Sequence, residues 1–247
     1  MPIVSMAVCP HPPLLVPQVA PGAEVADLRA ACVAAVDRLV AAGPDSVLVV
    51  GCDNGGDEGH RAYPPGSRGS FERYGDYDVE VVLGGGNGAA PAGRLPLSLL
   101  VGGWLVRRSA AASRLGCSGL GVAEDATPAE CARLGRELAA REERIGLLVM
   151  GDGSACHSEH SPVHLHPRAE VFDATVSRAL ATADTDTLSR LDPTVAAELS
   201  AGGRAAWQVM AAAAGPTGWD AELTYSAWPY GVGYFVSSWR PSRPARA

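Results

Sequence analysis

The chain of 247 residues contains no lysine, so its 20 basic side chains are all arginine and are outnumbered by 27 acidic side chains. The formal net charge of −7 excludes the broad basic surface that nucleic acids or anionic membranes require, and we expect neither partner. No apolar run approaches the roughly 20 residues that span a bilayer. The N-terminus also lacks the basic segment of a secretory signal. These absences indicate a cytoplasmic protein.

The six cysteines contain no CxxC pair, and in a cytosolic chain of this size we expect them to be free thiols. Cys32 and Cys131 lie on apolar, helix-like stretches and are expected in the core. Cys9, Cys52 and Cys156 differ, because each ends or follows a predicted strand. The ends of strands are where α/β proteins place their chemistry.

Apolar patterns of strand and helix alternate along most of the chain. They predict strands at 2–8, 46–51, 79–83, 119–123 and 145–150, and a closing pair of strands at 221–226 and 231–239. They predict helices at 24–42, 95–112, 168–182, 184–200 and 203–214, and a further helix opened by Thr127 and Pro128. A polar loop rich in glycine and proline is predicted over 52–77. The fold class is therefore α/β, a single-domain sandwich with a central mixed, mainly parallel sheet flanked by helices. The domain is expected to cover 1–239, and 240–247 to be a disordered tail.

Three strand exits carry candidate functional residues: "CPH" at 9–11, "GCDN" at 51–54 and "GDGSACH" at 151–157. Because the carboxyl ends of neighbouring parallel strands meet at one crevice, we expect His11, Asn54 and His157 to lie close together. Prolines on both sides fix the backbone of His11, which is either a site residue or a polar residue packed in a rigid loop. Asp53, beside Asn54, is a further candidate ligand contact.

The turn "GDGSACH" has the composition of a ligand-binding turn. Gly151 and Gly153 predict positive φ angles and close approach of a ligand, and the backbone N–H groups around Asp152 predict an anion or oxyanion site. His157 at its end is predicted to be a general acid/base, the alternative being a histidine that only caps the turn. Cys156 is not expected to pair with His157, because adjacent side chains in a turn point apart.

His160, His164 and His166 follow within ten residues of His157, but their spacing is not that of a structural zinc site. We expect a surface loop here, and keep His160 as a candidate ligand contact.

Four stretches together resemble a known family: "MPIVSMAVCPHPPLLVP", "DSVLVVGCDN", "MGDGSACHS" and "ELTYSAWPYGVGYF". They are similar to the LigB-type class III extradiol dioxygenase superfamily, which also includes Memo-like proteins, and in particular to an actinobacterial branch of small uncharacterised proteins within it. The resemblance covers nearly the whole chain. It implies a ring-cleaving oxidoreductase fold whose Fe(II) is held by two histidines and a carboxylate.

Carried onto this sequence, the resemblance gives His11 as the first metal histidine and His157 as the acid/base. Asn54 stands where the second metal histidine is expected, and the carboxylate ligand falls near Ala206, which has none. Glu222 is the nearest acidic residue downstream. Substitutes that the sequence leaves open are Asp53, His60, Cys9 and Cys52.

Three functions follow as alternatives. The first is an enzyme with an altered site for Fe(II) or another divalent metal, acting on a small aromatic or other polar molecule. The second is a metal-free pseudoenzyme that binds a ligand or a protein. The third is a metal-free enzyme that uses His157 with Cys156 or Asp152. The C-terminal strand pair also leaves a homodimer open.

Overall fold

The fold is built on one seven-stranded mixed sheet, seen in a computed structural model that describes residues 2–53, 59–76, 78–84 and 94–242. The strands of this sheet are β1 (Ile3–Cys9), β2 (Ser46–Cys52), β3 (His60–Tyr63), β6 (Gly116–Val122), β7 (Ile145–Met150), β8 (Trp219–Ala227) and β9 (Tyr234–Pro241). Their order across the sheet is β3-β6-β2-β7-β1-β9-β8. The four central strands β6, β2, β7 and β1 are parallel, whereas β3, β9 and β8 pair antiparallel.

Helices cover both faces of the sheet, which explains why the central strands are apolar along their whole length. The helices are α1 (Ala26–Ala41), α2 (Leu97–Arg108), α3 (Pro128–Ala139), α4 (Ala169–Thr182), α5 (Thr185–Ser189), α6 (Pro193–Glu198) and α7 (Arg204–Ala214). The helices α1 and α2 pack on one face, and α3 to α7 on the other. The predicted fold class is confirmed.

Local signals account for several helix boundaries. Thr127 and Glu130 form a capping box at the start of α3, with Pro128 at the first helical position, as predicted. The single helix predicted over 184–200 is wrong, because Asp192 caps a new helix that begins at Pro193. This divides the segment into α5 and α6.

The region predicted as one polar loop, 52–77, also holds regular structure. It contains β3, which extends the main sheet beyond β6, and β4 (Arg68–Ser70). The strand predicted at 79–83 is β5 (Glu80–Val82), and it pairs with β4 in a separate two-stranded sheet. The short polar strands β3 and β4 lack the apolar run that the prediction relied on.

At the other end of the chain, β9 continues to Pro241, two residues beyond the predicted strand, and Arg240 pairs with Asp220 of β8. Residues 243–247 of the predicted tail lie outside the described residues. All six cysteines are free, as expected. Within the described ranges, no helix is long and apolar enough to cross a membrane.

Candidate functional site

The carboxyl edge of the parallel strands brings three of the predicted site residues to one place. Cys9 at the end of β1 is level with Met150 at the end of β7, and Cys52 at the end of β2 is level with Val122 of β6. The residues that follow these strands therefore emerge side by side. They include His11, Asp53 and Asp152.

His11 contacts two residues of this edge, and we call His11, Cys52 and Asp152 the His11 cluster. Its backbone N–H donates to Asp152 Oδ1 over 2.7 Å, and its Nδ1 lies 3.7 Å from the same oxygen. On the other side of the ring, Nε2 lies 3.6 Å from Cys52 Sγ. The side chains of His11 and Asp152 are 8% and 19% exposed, and Cys52 is half-buried. The cluster is thus enclosed but open to solvent beside the thiol and the carboxylate.

The charges of the cluster are coupled. Burial lowers the pKa of His11, but the carboxylate of Asp152 and then the neighbouring Cys52 outweigh burial and raise the pKa to about 9. Burial raises the pKa of Asp152, and His11 acts against that shift. The imidazole therefore carries a proton at neutral pH. Its buried Nδ1 has no hydrogen-bond partner among the described residues.

Two glycines allow close packing around this edge of the sheet. A Cβ on Gly51 would lie 2.5 Å from Ser98 Cβ, so glycine lets the first turn of α2 approach β2, where Ser98 Oγ donates to the carbonyl of Cys52. A Cβ on Gly121 would lie 2.5 Å from Asp53 Cβ. Asp53 fills that space and accepts a 2.6 Å hydrogen bond from the Tyr63 hydroxyl. Asp53 is therefore held within the protein, next to Cys52.

His157 belongs to a second network, the His157 cluster, which consists of His157, Ser154 and Asp173. Its Nε2 lies 2.5 Å from Asp173 Oδ2, and Asp173 also accepts 2.9 Å hydrogen bonds from the backbone N–H and the hydroxyl of Ser154. The imidazole stacks on the ring of Trp228 at 4.9 Å between centroids, with 6° between the planes. A cavity of about 410 Å³ adjoins His157, Asp173 and Trp228.

Asp173 was missed from the sequence because it lies within α4 and resembles an ordinary helical aspartate. One signal was present. Asp173 falls at helical spacing among the buried residues Ala169, Val176 and Leu180 of α4, so a carboxylate stands on the apolar face. A charged group there needs a partner.

The positive φ angles predicted for Gly151 and Gly153 are wrong, since neither residue has one. Both are needed for packing instead. A Cβ would lie 2.6 Å from Gly203 Cα at the first and 2.7 Å from Asp173 Oδ1 at the second. Their N–H groups donate to the carbonyls of Cys9 and Gly233, so they are not free to bind an anion.

The other predicted residues lie apart from these clusters. Asn54 lies outside the described residues. His160 is exposed, and its backbone N–H donates to Ser158 Oγ. Cys156 points away from His157, as expected, and donates to the carbonyl of Leu199. His11 and His157 thus occupy separate hydrogen-bond networks and not one shared constellation.

The iron ligand set of the resembling family does not fit these residues. His11 has Asp152 on the Nδ1 side and Cys52 on the Nε2 side, and one imidazole offers a metal ion only one nitrogen at a time. Ala206 is buried in α7, and Glu222 is an exposed residue that pairs with Arg38. Across the residues that the structure describes, no three His, Cys, Asp or Glu side chains are grouped so as to hold a metal.

The fold and this edge define an α/β protein with a mixed sheet and a polar cluster at the carboxyl ends of its parallel strands. No family model matches the chain, and no curated protein matches it. Among solved structures, the chain is similar to an uncharacterised protein of Escherichia coli K12, JW3007, with a TM-score of 0.56. The match covers 96% of this chain and 99% of that chain at 14% identity, which shows a shared fold.

Proposed function

We propose that the protein is a cytoplasmic, metal-independent relative of the LigB-type superfamily, an enzyme that uses Cys52 as a nucleophile on a small acyl substrate. The observation that carries the proposal is the 3.6 Å approach of Cys52 Sγ to His11 Nε2, with Asp152 on the far side of the ring. A thiol, an imidazole and a carboxylate in this order form the arrangement that activates cysteine nucleophiles. The free thiols fit a reducing compartment.

Each member of the His11 cluster has a distinct part in the proposal. Cys52 is half-buried, so a substrate has access to its sulfur, whereas Cys9 and Cys156 are buried. His11 is held by prolines in sequence and by its backbone hydrogen bond to Asp152, so its ring has a fixed position. Asp152 favours the protonated ring through its charge and accepts the hydrogen bond of the His11 backbone N–H.

The proposed reaction is acyl transfer to water. The reacting form is the Cys52 thiolate beside protonated His11, and this thiolate attacks the carbonyl carbon of an ester or thioester. As the S–C bond forms and the bond to the leaving group breaks, the proton on Nε2 moves to the leaving group. Water then attacks the thioester and gives a proton to the neutral imidazole, and the C–S bond breaks, which releases the acid and restores the thiolate–imidazolium pair.

The test is covalent labelling with p-nitrophenyl acetate, followed by mass spectrometry of the six cysteines. We expect a burst of p-nitrophenol and an acetyl group on Cys52. The Cys52→Ser variant should lose the burst, and His11→Gln should slow it about a hundredfold or more because general acid–base catalysis contributes that much. Cys156→Ser is the matched control and should keep the burst.

Acetylation spread evenly over the cysteines, or a burst that survives His11→Gln, would refute the proposal. In that case the alternative, a protein that binds its ligand without turnover, becomes the better account of the crevice.

A further inference from the structure

A cavity of about 380 Å³ lies beside β3 and the start of α2, and Asp53, the residue after Cys52, is part of its lining. Its lining is unusual for this chain, because three arginines face it: Arg61, Arg73 and Arg94. The chain as a whole has a net charge of −7, yet Asp53 is the one carboxylate among the residues that line this cavity in the described part of the chain. Among the described residues, the lining of this cavity therefore carries more positive than negative charge.

Two of these arginines differ in their pairing. Arg94 Nη2 lies 2.8 Å from Glu72 Oε2, in an exposed ion pair at the rim. Arg73 forms no ion pair with any residue that the structure describes, although it belongs to the same short stretch as Glu72. A guanidinium without a carboxylate partner presents a planar set of donors that matches a carboxylate or a phosphate.

The remaining lining suits an organic molecule. Leu95 and Leu100 supply apolar surface, and Tyr74 supplies an aromatic ring. At the inner end, Tyr63 donates to Asp53 Oδ2, and burial followed by that carboxylate raises the pKa of Tyr63 to about 12, so the phenol remains protonated. Volumes of about 300–1,000 Å³ are typical of small-molecule sites.

The cavity reaches the residue that follows the proposed nucleophile in the chain. Asp53 follows Cys52 directly, and Ser98, in the first turn of α2, donates to the carbonyl of Cys52. A molecule seated between Arg73 and Asp53 would thus have its far end at the residue that follows Cys52.

We propose that this cavity binds a small organic anion whose carboxylate or phosphate group contacts Arg73 and Arg94. Its apolar part lies against Leu95, Leu100 and Tyr74. The proposal rests on the proposed function in one respect, which is that this anion is the substrate of Cys52. The binding site itself depends on the arginines.

The test is calorimetric titration of the Cys52→Ser protein, which cannot be acylated at Cys52, with benzoate, inorganic phosphate and neutral benzamide. We expect benzoate to bind and benzamide to bind at least about tenfold more weakly, because a charged hydrogen bond contributes on the order of 1.5 kcal/mol or more. Arg73→Gln should weaken benzoate about tenfold for the same reason.

Two further variants act as controls. Glu72→Gln frees Arg94 from its rim ion pair and should strengthen benzoate binding by a few fold, on the order of an exposed ion pair. Arg133→Gln removes an arginine of α3 that is paired with Glu137 and should leave binding unchanged.

Phosphate binding that depends on Arg73, without benzoate binding, supports the anion site and assigns it to phosphorylated molecules. Absence of binding by both anions, or binding unaffected by Arg73→Gln, overturns the proposal. Intact anion binding with no acetylation of Cys52 in the unsubstituted protein would refute the proposed reaction alone.

Discussion

His11 follows β1 and His157 follows β7, two strands that pair in one sheet. The two imidazole rings nevertheless differ in their hydrogen bonding. His157 has a short hydrogen bond to Asp173, a ring stacked on Trp228 and a carboxylate that is itself saturated by Ser154. His11 has an unbonded Nδ1, a thiol at the other nitrogen and a carboxylate that keeps contact with solvent. In the amino-acid sequence, both residues are simply histidines that follow a predicted strand.

The difference teaches which histidine is available for chemistry. A buried polar group that is fully hydrogen-bonded stabilises the fold, whereas one that lacks a partner needs another explanation, and a functional role is one. On that criterion the His157 cluster holds the 153–157 turn to α4. The His11 cluster retains groups that a substrate can engage.

The largest expected effect comes from breaking the His157 cluster. Asp173→Ala removes the acceptor of Ser154 N–H, Ser154 Oγ–H and the His157 ring at once, in a buried position. Removal of one partner from a buried, paired network costs about 3–5 kcal/mol. We expect urea unfolding to show a loss of this size. Asp186→Ala, which removes an exposed pair with Arg190, should cost less than about 1 kcal/mol.

A loss below about 1 kcal/mol for Asp173→Ala would contradict the comparison, since the His157 cluster would then not stabilise the fold. Retention of the Cys52 burst in any Asp173 variant that still folds is expected, because the two clusters share no hydrogen bond.

Sequence patterns predicted the central architecture because parallel strands buried on both faces are apolar throughout. β2 and β7 are such strands. They also placed His11 and Asp152 at the carboxyl edge, since that edge follows from strand direction alone. The sequence patterns did not predict the contact between Cys52 and His11, because it depends on the directions of two side chains that are 41 residues apart in the chain. The glycines of the 151–153 turn were misinterpreted because a glycine needed for tight packing and a glycine needed for positive φ are identical in sequence.

The next effect concerns the charge of His11. Its pKa in the folded protein, about 9, lies above its ordinary value of 6.5. The stability that protonated His11 contributes is therefore complete below about pH 6.5 and is lost as the pH rises through 9. We expect the difference in unfolding free energy between the wild type and His11→Gln to shrink by about 2–3 kcal/mol over that window. Burial raises the pKa of Asp152, and His11 acts against that shift.

NMR titration of the His11 ring isolates the cause. In Asp152→Asn the main influence that raises the pKa is removed while burial still lowers it, so the titration should move down from about 9. Asp186→Asn, an exposed substitution in α5, should leave the pKa of His11 unchanged. A His11 titration near 6.5 in the wild type would mean that Asp152 does not govern the ring, and the His11 cluster would lose its proposed acid.

The smallest effect separates stacking from hydrogen bonding within the His157 cluster. Trp228 is 55% exposed, so its ring covers His157 while leaving much of its own surface in water. Aromatic stacking contributes about 0.5–1.5 kcal/mol, and exposure places this pair at the lower end. Trp228→Ala should therefore cost well under the loss for Asp173→Ala in urea unfolding, and Val171→Ala, another exposed apolar residue, should cost less still. Equal losses for Trp228→Ala and Asp173→Ala would show that the indole, and not the carboxylate, fixes His157, so that its ring nitrogens would be free for chemistry after all.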